Sequence, residues 1–332
     1  MNEKIILGHG SGGRMTRDLV RDVFCRHLGD FGPQSMDDGA VLPCEKGELV
    51  FTTDSYVVSP LEFPGGDIGT LAVCGTVNDL AVMGARPLWL SLGVILEAGL
   101  EIDALERIVK SIAAKAREAG VKIVCGDTKV VEKGKGDGIF INTAGIGVLE
   151  HPLTPETIEP GDQIIVSGTV GDHGMALLTL RKGFPLKSDL KSDCAPLNGM
   201  ISQCLDEAGV KWMRDATRGG VATILNELSE GRPWGVLLEE NDIPLSDAVA
   251  GVSELLGLDP LYSANEGKVI FVVPRHQAEN ALKGLKKSAY GKKAAVIGLI
   301  VDDFPGKTVL HTQMGTLRTL GILASDPLPR IC

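Results

Sequence analysis

Residues 101–120 read EIDALERIVKSIAAKAREAG, and they form the clearest secondary-structure signal in the chain. Apolar side chains recur there at intervals of three and four residues, which predicts an amphipathic helix over 101–119. Gly120 ends the pattern, as is typical of a helix C-terminus. The apolar stripe consists of Ile102, Leu105, Ile108, Val109, Ile112 and Ala116.

Strand-like apolar runs lie on both sides of this helix, at 88–96 and at 121–125 and 138–148. Predicted helices and strands are mixed in both halves of the chain, which predicts an α+β fold with mixed or antiparallel sheets. The chain has no glycine-rich Rossmann fingerprint and no Walker A loop, so neither of those nucleotide-binding folds is expected. The other predicted helices are 14–28, 67–84, 174–182, 196–208, 217–230, 246–256 and 276–287, and the other predicted strands are 49–53, 163–167, 235–239, 268–273 and 294–301.

The length of 332 residues fits two domains of ordinary size, and the hydrophobic fraction of 44% is enough for a real core. A proline- and threonine-rich stretch at 151–161 is the best candidate for a boundary. We therefore expect an N-terminal domain over 1–150 and a C-terminal domain over 151–325. Two prolines favour an extended chain over 326–332, and we expect a mobile tail there that carries Cys332.

The net charge of −10 argues against a nucleic-acid surface, which needs clustered lysine and arginine. It does not exclude nucleotides, because a bound divalent metal reverses the local field. No apolar run approaches the roughly 18–20 residues needed to cross a bilayer. The N-terminus leads into no signal-peptide core, so we expect a cytoplasmic protein without a membrane partner.

Acidic residues recur at predicted strand ends, before a predicted helix, and inside an apolar helix. A buried carboxylate is costly unless it is paired, and magnesium with substrate phosphates would pair it. Singly, Asp54 or Asp215 is better explained as a helix cap or turn residue. Asp79 is harder to explain in that way, because its neighbours are apolar. As a set these residues predict a metal–phosphate site: Asp38, Asp54, Asp79, Asp127 and Asp215.

Other polar candidates have plain alternatives. The glycine-rich stretch 8–13, with Gly10, Gly12 and Gly13, either lays backbone N–H groups on phosphates or is a flexible terminus. Lys129 and Arg218 either neutralise phosphate or are solvated surface residues. Glu266 is either an acid or base at the mouth of a cleft or a turn residue paired with Lys268.

Cys332 has the strongest claim to chemistry, because it is the last residue of an extended tail. A thiol on such a tip is a nucleophile or acyl carrier when it is deprotonated. The adjacent terminal carboxylate raises the thiol pKa, and Arg330 partly offsets this effect. The pattern predicts an enzyme whose own cysteine carries the group on which it works.

Five motifs together closely resemble the HypE family of hydrogenase expression/formation proteins, within the superfamily of aminoimidazole ribonucleotide synthetase and selenophosphate synthetase. The resemblance covers essentially the whole chain. Its terminal motif is highly specific, whereas the aspartate motifs are shared across the superfamily. The motifs are Asn78–Gly84, Gly126–Val131, Gly171–Gly174, Asn265–Lys268 and Pro329–Cys332.

The resemblance implies a two-domain aminoimidazole ribonucleotide synthetase-like fold, whose first domain forms a β-barrel with that of a second subunit in a homodimer. It also implies that ATP and Mg²⁺ bind at the domain junction, under the glycine-rich segment. The five aspartates of the acidic set fall on metal–nucleotide positions, with Thr128 and Arg218 beside them. Lys129 and Glu266 fall in the catalytic neighbourhood.

The reaction implied by the resemblance is [NiFe] hydrogenase maturation. Cys332 receives a carbamoyl group from a partner carbamoyltransferase, and ATP-dependent dehydration converts it to a thiocyanate. The cyano group then passes to an iron-holding maturation scaffold. In this scheme Lys129 stabilises phosphate charge and Glu266 removes the nitrogen proton.

Two other functions remain open at this stage. One is an ATP-dependent synthetase or kinase for a free substrate, which would not need Cys332. Selenophosphate synthetases use a reactive cysteine or selenocysteine near their glycine-rich segment, and residues 8–13 contain none. The other is a thiol-tailed carrier or metallochaperone, which would need the tail but no nucleotide.

Overall fold

The computed structural model describes residues 4–6, 18–29, 48–183, 189–321 and 331. The predictions for Gly10, Gly12, Gly13, Asp38 and Cys332 lie outside these residues, as does the predicted tail except for Ile331. The chain divides into two units, one holding residues 1–81, 85–150 and 330–332 and the other residues 82–84 and 151–329. Among the helices of the described residues, none combines the length and apolarity that a membrane span requires.

The first unit is a four-stranded sheet with helices on one face. Across the sheet its strands are β1 (Leu49–Tyr56), β6 (Ile139–Leu149), β4 (Ala85–Glu97) and β5 (Lys122–Val131). The pairs β1–β6 and β4–β6 are antiparallel and β4–β5 is parallel. Its elements are α1 (Val20–Cys25 continued by Arg26–Leu28), β1 (Leu49–Tyr56), β2 (Glu62–Phe63), β3 (Gly66–Asp67), α2 (Ile68–Val82), β4 (Ala85–Glu97), α3 (Ile102–Ala119), β5 (Lys122–Val131) and β6 (Ile139–Leu149).

Helix α3 confirms the prediction made from its apolar stripe. All six stripe residues are buried, and Gly120 caps the helix in the left-handed conformation at φ 72°. The packing of α2 on the sheet is seen where Tyr56 Oη lies 3.3 Å from Thr76 Oγ1. Helices α2 and α3 also touch closely, because a Cβ at Gly69 would lie 2.6 Å from the Ile108 carbonyl oxygen.

The opposite face of this sheet has no helix on it in the described part of the chain. Phe51 is 66% exposed there and Ile95 is 43% exposed. Strand register places Ile146 beside Phe51 and Phe140 beside Ile95, so apolar side chains adjoin at two places on the open face. The single copy contains an open sheet and no closed barrel among these strands.

The second unit is a seven-stranded sheet. Across the sheet its strands are β13 (Leu317–Leu320), β12 (Thr308–His311), β9 (Gly235–Glu239), β11 (Ala295–Val301), β7 (Gln163–Val166), β10 (Val269–Val273) and β8 (Trp212–Asp215). All described pairs are antiparallel except the parallel pair β12–β9. Its elements are β7 (Gln163–Val166), α4 (Asp172–Lys182), α5 (Asn198–Leu205), β8 (Trp212–Asp215), α6 (Gly220–Ser229), β9 (Gly235–Glu239), α7 (Asp247–Leu256), β10 (Val269–Val273), α8 (Ala278–Lys287), β11 (Ala295–Val301), β12 (Thr308–His311) and β13 (Leu317–Leu320).

The core of this unit lies on the central strands. Every residue of β10 is buried, so both faces of the sheet are covered at its centre. Helix α6 contributes Val221, Leu225 and Leu228 to the apolar cluster on one face. The predicted mixed α+β class is confirmed, whereas β8, β12 and β13 had no prediction.

Candidate active site

Three loops of the second unit meet around the buried side chain of Asn265. Its Oδ1 accepts the Gly171 N–H at 2.7 Å. Its Nδ2 donates to the carbonyl oxygens of Ala216 and Ser263, both at 3.1 Å. The amide therefore ties the loop before α4 to the loop that leads into β10. Two motifs far apart in sequence, Gly171–Gly174 and Asn265–Lys268, are brought together in this way.

A buried carboxylate, Asp193, joins the same site from the segment before α5. Its Oδ1 accepts the backbone N–H of Glu266 at 3.0 Å, and its Oδ2 accepts a hydrogen bond from Lys268 Nζ at 2.8 Å. We call these contacts the Asp193 clamp. The side chains are 6% exposed for Asp193 and 9% for Lys268. Asp172 lies 3.8 Å from the same ammonium group, so Lys268 is shared by two carboxylates.

The ionisation of Asp193 follows from these contacts. Burial by itself would raise the pKa of this carboxyl, because a charge is disfavoured away from water. The attraction of Lys268 and the hydrogen bonds from Glu266 N–H and Lys268 outweigh burial and hold the pKa below its ordinary value. Asp193 is thus a buried carboxylate at neutral pH.

Glu266 is itself only 3% exposed. Lys268 forms ion pairs with Asp193 and Asp172, and the alternative that Glu266 is a turn residue paired with Lys268 stays a prediction. Glu266 is therefore a buried glutamate on a restrained backbone, which suits an acid or base that must work away from bulk water.

Asp215 lies next to the strand that follows Glu266. It is buried, and the register pairs it with Val269 across β8 and β10. The next residue, Ala216, accepts the Asn265 N–H at 3.0 Å. Arg218 is exposed in the turn before α6. The structure thus brings Asp215 to the same end of the sheet as Asn265 and Glu266.

His173 of the Gly171–Gly174 motif is completely buried. Its Nδ1 lies 2.8 Å from Ser192 Oγ, which also accepts the Cys194 N–H at 3.1 Å. The histidine therefore helps to hold the segment that carries Asp193.

A cleft of about 380 Å³ opens beside this cluster. Lys268 and Asp193 form part of its wall, and Tyr290, Lys292 and Lys293 form another part. The charged end of the Asp193 clamp thus lies at the wall of a cleft.

The first unit carries the other described acidic candidates. Asp79, in the last turn of α2, is half-buried, and its Oδ2 accepts the Thr52 hydroxyl at 3.1 Å. Asp54 Oδ1 accepts the next N–H, that of Ser55, at 2.7 Å. Asp54 is aligned with Thr143, which contacts α2, so Asp54 and Asp79 lie on the helix-covered side of the sheet.

Asp127 and Lys129 form an ion pair at 2.8 Å on β5, with side chains 70% and 62% exposed. The Lys129 hydrogen bond is the main reason that the pKa of Asp127 lies below its usual range. Register aligns Asp127 with Gly93 and Lys129 with Ile95, which places both on the open face. Thr128 points the other way and is buried.

The acidic candidates of the first unit thus lie on opposite faces and opposite edges of one sheet. Adjacent strands are about 4.8 Å apart, so β1 and β5 are separated by roughly 14 Å. Within the described residues, no group of three or more histidine, cysteine or acidic side chains is close enough to hold a metal ion. The predicted metal positions remain a prediction, since Asp38 lies outside the described residues.

Sequence reasoning did not single out Asp193 or Ser192. Neither stands in a recognisable motif, and their partners are distant in sequence. The only available signal was a serine–aspartate pair in a segment that is otherwise unlike a helix or strand.

Similarity to known proteins extends over the whole chain. Residues 36–149 match the AIR synthase related protein, N-terminal domain, and residues 159–311 match the AIR synthase related protein, C-terminal domain. The carbamoyl dehydratase HypE of Rhodobacter capsulatus is 46% identical, over 100% of this chain and 99% of the relative.

Solved structures agree with this placement. The hydrogenase maturation protein HypE in complex with ATP is 45% identical with a TM-score of 0.94, covering 98% of this chain and 99% of that one. A chain of a HypE–HypF complex is 46% identical with a TM-score of 0.80, covering 92% and 99%. This chain therefore belongs to the HypE family of carbamoyl dehydratases, among the AIR synthase related proteins.

Proposed function

We propose that this protein dehydrates a carbamoyl group carried on the sulfur of Cys332 to a thiocyanate, at the expense of ATP. The thiocyanate then supplies cyanide for the iron ligands of [NiFe] hydrogenase. The observation that carries the proposal is the full-length identity of 46% to a carbamoyl dehydratase, which extends over both domains. A relative of this chain also binds ATP.

The reaction balances in two steps. The carboxamide oxygen attacks the γ-phosphorus of ATP, and the bond between that phosphorus and ADP breaks. The oxygen, a poor leaving group before, can now leave as phosphate. Nitrogen gives up its first proton to leave a neutral imidoyl phosphate, and loss of its second proton then forms the carbon–nitrogen triple bond as the carbon–oxygen bond breaks. The protein loses the elements of one water, and the products are ADP and phosphate.

In this scheme Glu266 accepts the proton from nitrogen. A general base must be held within hydrogen-bond reach of its proton, and restraint of the Glu266 backbone supports that role. Burial of its side chain also keeps water away from the transfer.

Lys129 is proposed to stabilise charge that develops on the phosphates. Its ammonium is 62% exposed and is held by Asp127, so it is available at the surface of the open face. Engaging ATP would draw it from an exposed ion pair, which is typically worth only about 0–1 kcal/mol.

Magnesium is proposed to arrive with ATP as part of the substrate. Carboxylate oxygens are suitable ligands for it. The described carboxylates of one chain do not by themselves form a metal site, so no step is assigned to the ion. The candidates Asp38, Asp54, Asp79, Asp127 and Asp215 retain their proposed role as nucleotide and metal ligands.

A homodimer is proposed through the open face of the first unit. Exposed apolar side chains such as Phe51 and Ile95 mark an interaction surface. A second copy of the same face can bury them through two-fold symmetry. Two four-stranded sheets facing each other would form the predicted barrel and protect the edges β1 and β5. Asp127 and Lys129 lie on that face, so they would border the interface.

The dimer is tested by sedimentation of the Phe51→Glu variant. We expect it to shift to monomer, while Leu317→Glu, at an exposed leucine of the second unit, stays dimeric. A Phe51→Glu variant that sediments like wild type would contradict this interface.

Two partners are proposed. One is the carbamoyltransferase that loads Cys332, which is supported by the HypE–HypF complex of a relative. The other is an iron-holding maturation scaffold that accepts the cyanide. Ile331, next to Cys332, is 3% exposed and is counted with the first unit, which supports a docked position for Ile331.

The catalytic assignment is tested with Glu266→Gln in a single turnover of the carbamoylated protein. We expect ATP binding to be retained and water loss to slow by about 100-fold or more, within the range for a lost general base. Glu254→Gln, at an exposed glutamate of α7, is the control and should match wild type. Wild-type turnover by Glu266→Gln would refute the assignment.

The other two functions give different results in simple assays. Activity that survives Cys332→Ala would indicate a synthetase or kinase for a free substrate. Failure of any nucleotide to bind would indicate a thiol-tailed carrier.

A further inference from the structure

We propose that Asp193 is a positioning residue for Glu266, acting through the Asp193 clamp. The inference rests on the function proposed above, in which Glu266 takes the proton from nitrogen. Asp193 bonds the residues on both sides of Gly267: the N–H of Glu266 at 3.0 Å and the ammonium of Lys268 at 2.8 Å. One carboxylate thereby fixes the position and direction of the backbone that carries the glutamate.

The packing at Gly267 shows how closely the two segments lie. A Cβ at this position would be 1.8 Å from the carbonyl oxygen of Asp193 and 2.8 Å from its carbonyl carbon. Only a residue without a side chain allows the backbones to approach in this way. The segment 266–268 is therefore held against Asp193 by direct backbone contact as well as by the two hydrogen bonds.

The negative charge of Asp193 determines which carboxylate the Lys268 ammonium lies against. Lys268 is nearly buried, and its other anionic neighbour, Asp172, is farther away at 3.8 Å. Replacing Asp193 with asparagine keeps the size of the side chain but removes the nearer charge. Lys268 would then be drawn towards Asp172, and the attached segment with Glu266 would move with it.

The expected size of the effect follows from the sensitivity of proton transfer to geometry. A displacement of about 1 Å can cost on the order of 100-fold in rate. We therefore expect Asp193→Asn to slow water loss by about 10–100-fold.

The same unit offers a matched control in Asp162. This carboxylate is also buried, accepts the Glu159 N–H at 2.9 Å and pairs with Lys211 at 2.8 Å. It therefore repeats the chemistry of the clamp at a position that does not touch Glu266. Any effect that comes only from neutralising a buried, lysine-paired aspartate should appear in Asp162→Asn as well.

The experiment uses full-length protein carbamoylated on Cys332 by the partner transferase. Water loss after addition of Mg-ATP is followed by intact-protein mass spectrometry for wild type, D193N, D162N, E266Q and D193N/E266Q. We expect D193N to lose water slowly but to bind ATP with an affinity within about 3-fold of wild type. The rate of water loss by D162N should also lie within about 3-fold of wild type. Because Asp193 acts through Glu266, the double variant should be no slower than E266Q.

Two outcomes would overturn the inference: D193N at the wild-type rate, or a D193N effect that is equally large in the E266Q background. If D193N does not fold, D193N/K268Q replaces it, because it removes the carboxylate together with the ammonium, while Asp172 keeps its hydrogen bonds from the Thr169 and Ser246 hydroxyls. The same slowing is then expected, and a wild-type rate would again overturn the inference.

Failure of the proposed function looks different. A wild-type protein that never loses water would reject the dehydratase reaction itself. If E266Q turned over like wild type, the base assignment would fail and the positioning role of Asp193 with it. A slow E266Q beside a normal D193N would reject only the inference about Asp193.

Discussion

Gly267→Ala should be among the most damaging small substitutions in the second unit. The new Cβ would lie 1.8 Å from the Asp193 carbonyl oxygen. An ordinary close contact between carbon and oxygen is about 3.3 Å, so the two backbones would have to separate by roughly 1.5 Å. The hydrogen bond from Glu266 N–H to Asp193, now 3.0 Å long, would then be lost.

The magnitude follows from these two changes. Forcing a methyl group into a packed interior costs about 1–3 kcal/mol. Loss of a hydrogen bond to a charged group costs about 1.5–3 kcal/mol. A decrease of about 3 kcal/mol or more in the free energy of unfolding corresponds to roughly 6–12 °C in Tm for a unit of this size.

Thermal unfolding followed by circular dichroism measures this effect, and Gly251→Ala is the matched control. Gly251 lies inside α7, and a Cβ there would meet no atom within 4 Å. Alanine at such a helical position should raise the free energy of unfolding by about 0.4–1 kcal/mol. A Gly267→Ala protein that melts within about 2 °C of wild type would refute the close packing of 267 on Asp193.

Three further results are expected. The pKa of Asp193 is lower in the folded than in the unfolded chain. The ionised carboxylate therefore stabilises the fold fully above the unfolded-state pKa, and this stabilisation is lost as pH falls through the folded-state pKa. The Tm difference between wild type and Asp193→Asn should shrink below about pH 4. Burial raises the pKa of the Cys204 thiol to about 12. Iodoacetamide should therefore not alkylate Cys204 in the native protein at about pH 8.5. Alkylation as fast as in denaturant would contradict the burial of this thiol. Ile331→Ala should slow water loss by about 10-fold through weaker docking of residue 331, with Cys332 loading measured by mass as the control. An unchanged rate would contradict that docking.

Periodicity predicted the elements that bury one continuous stripe. Helix α3 is the clearest example, because its apolar spacing and terminal glycine specify both its face and its end. Strands β12 and β13 were not predicted, since they are four residues each and β13 exposes most of its side chains. Such short segments carry too little alternation to be recognised without their partners.

The candidate site was predictable to the extent that its residues stand in motifs. Glu266 and Asn265 were found in this way, but Asp193 was not, because its partner Glu266 lies 73 residues away in sequence. The pairing of Lys268 also depends on that long-range contact. Ion pairs formed by tertiary folding leave no local signal in sequence.

The most direct test of the account is the mass of the intact carbamoylated protein before and after Mg-ATP is added. The sample is prepared with the partner carbamoyltransferase and carbamoyl phosphate, with Cys332→Ala as the control that cannot be loaded. We expect a carbamoyl adduct on Cys332 that loses one water only when ATP is present. An adduct that stays unchanged with ATP, or a Cys332 that an active transferase leaves unmodified, would contradict it.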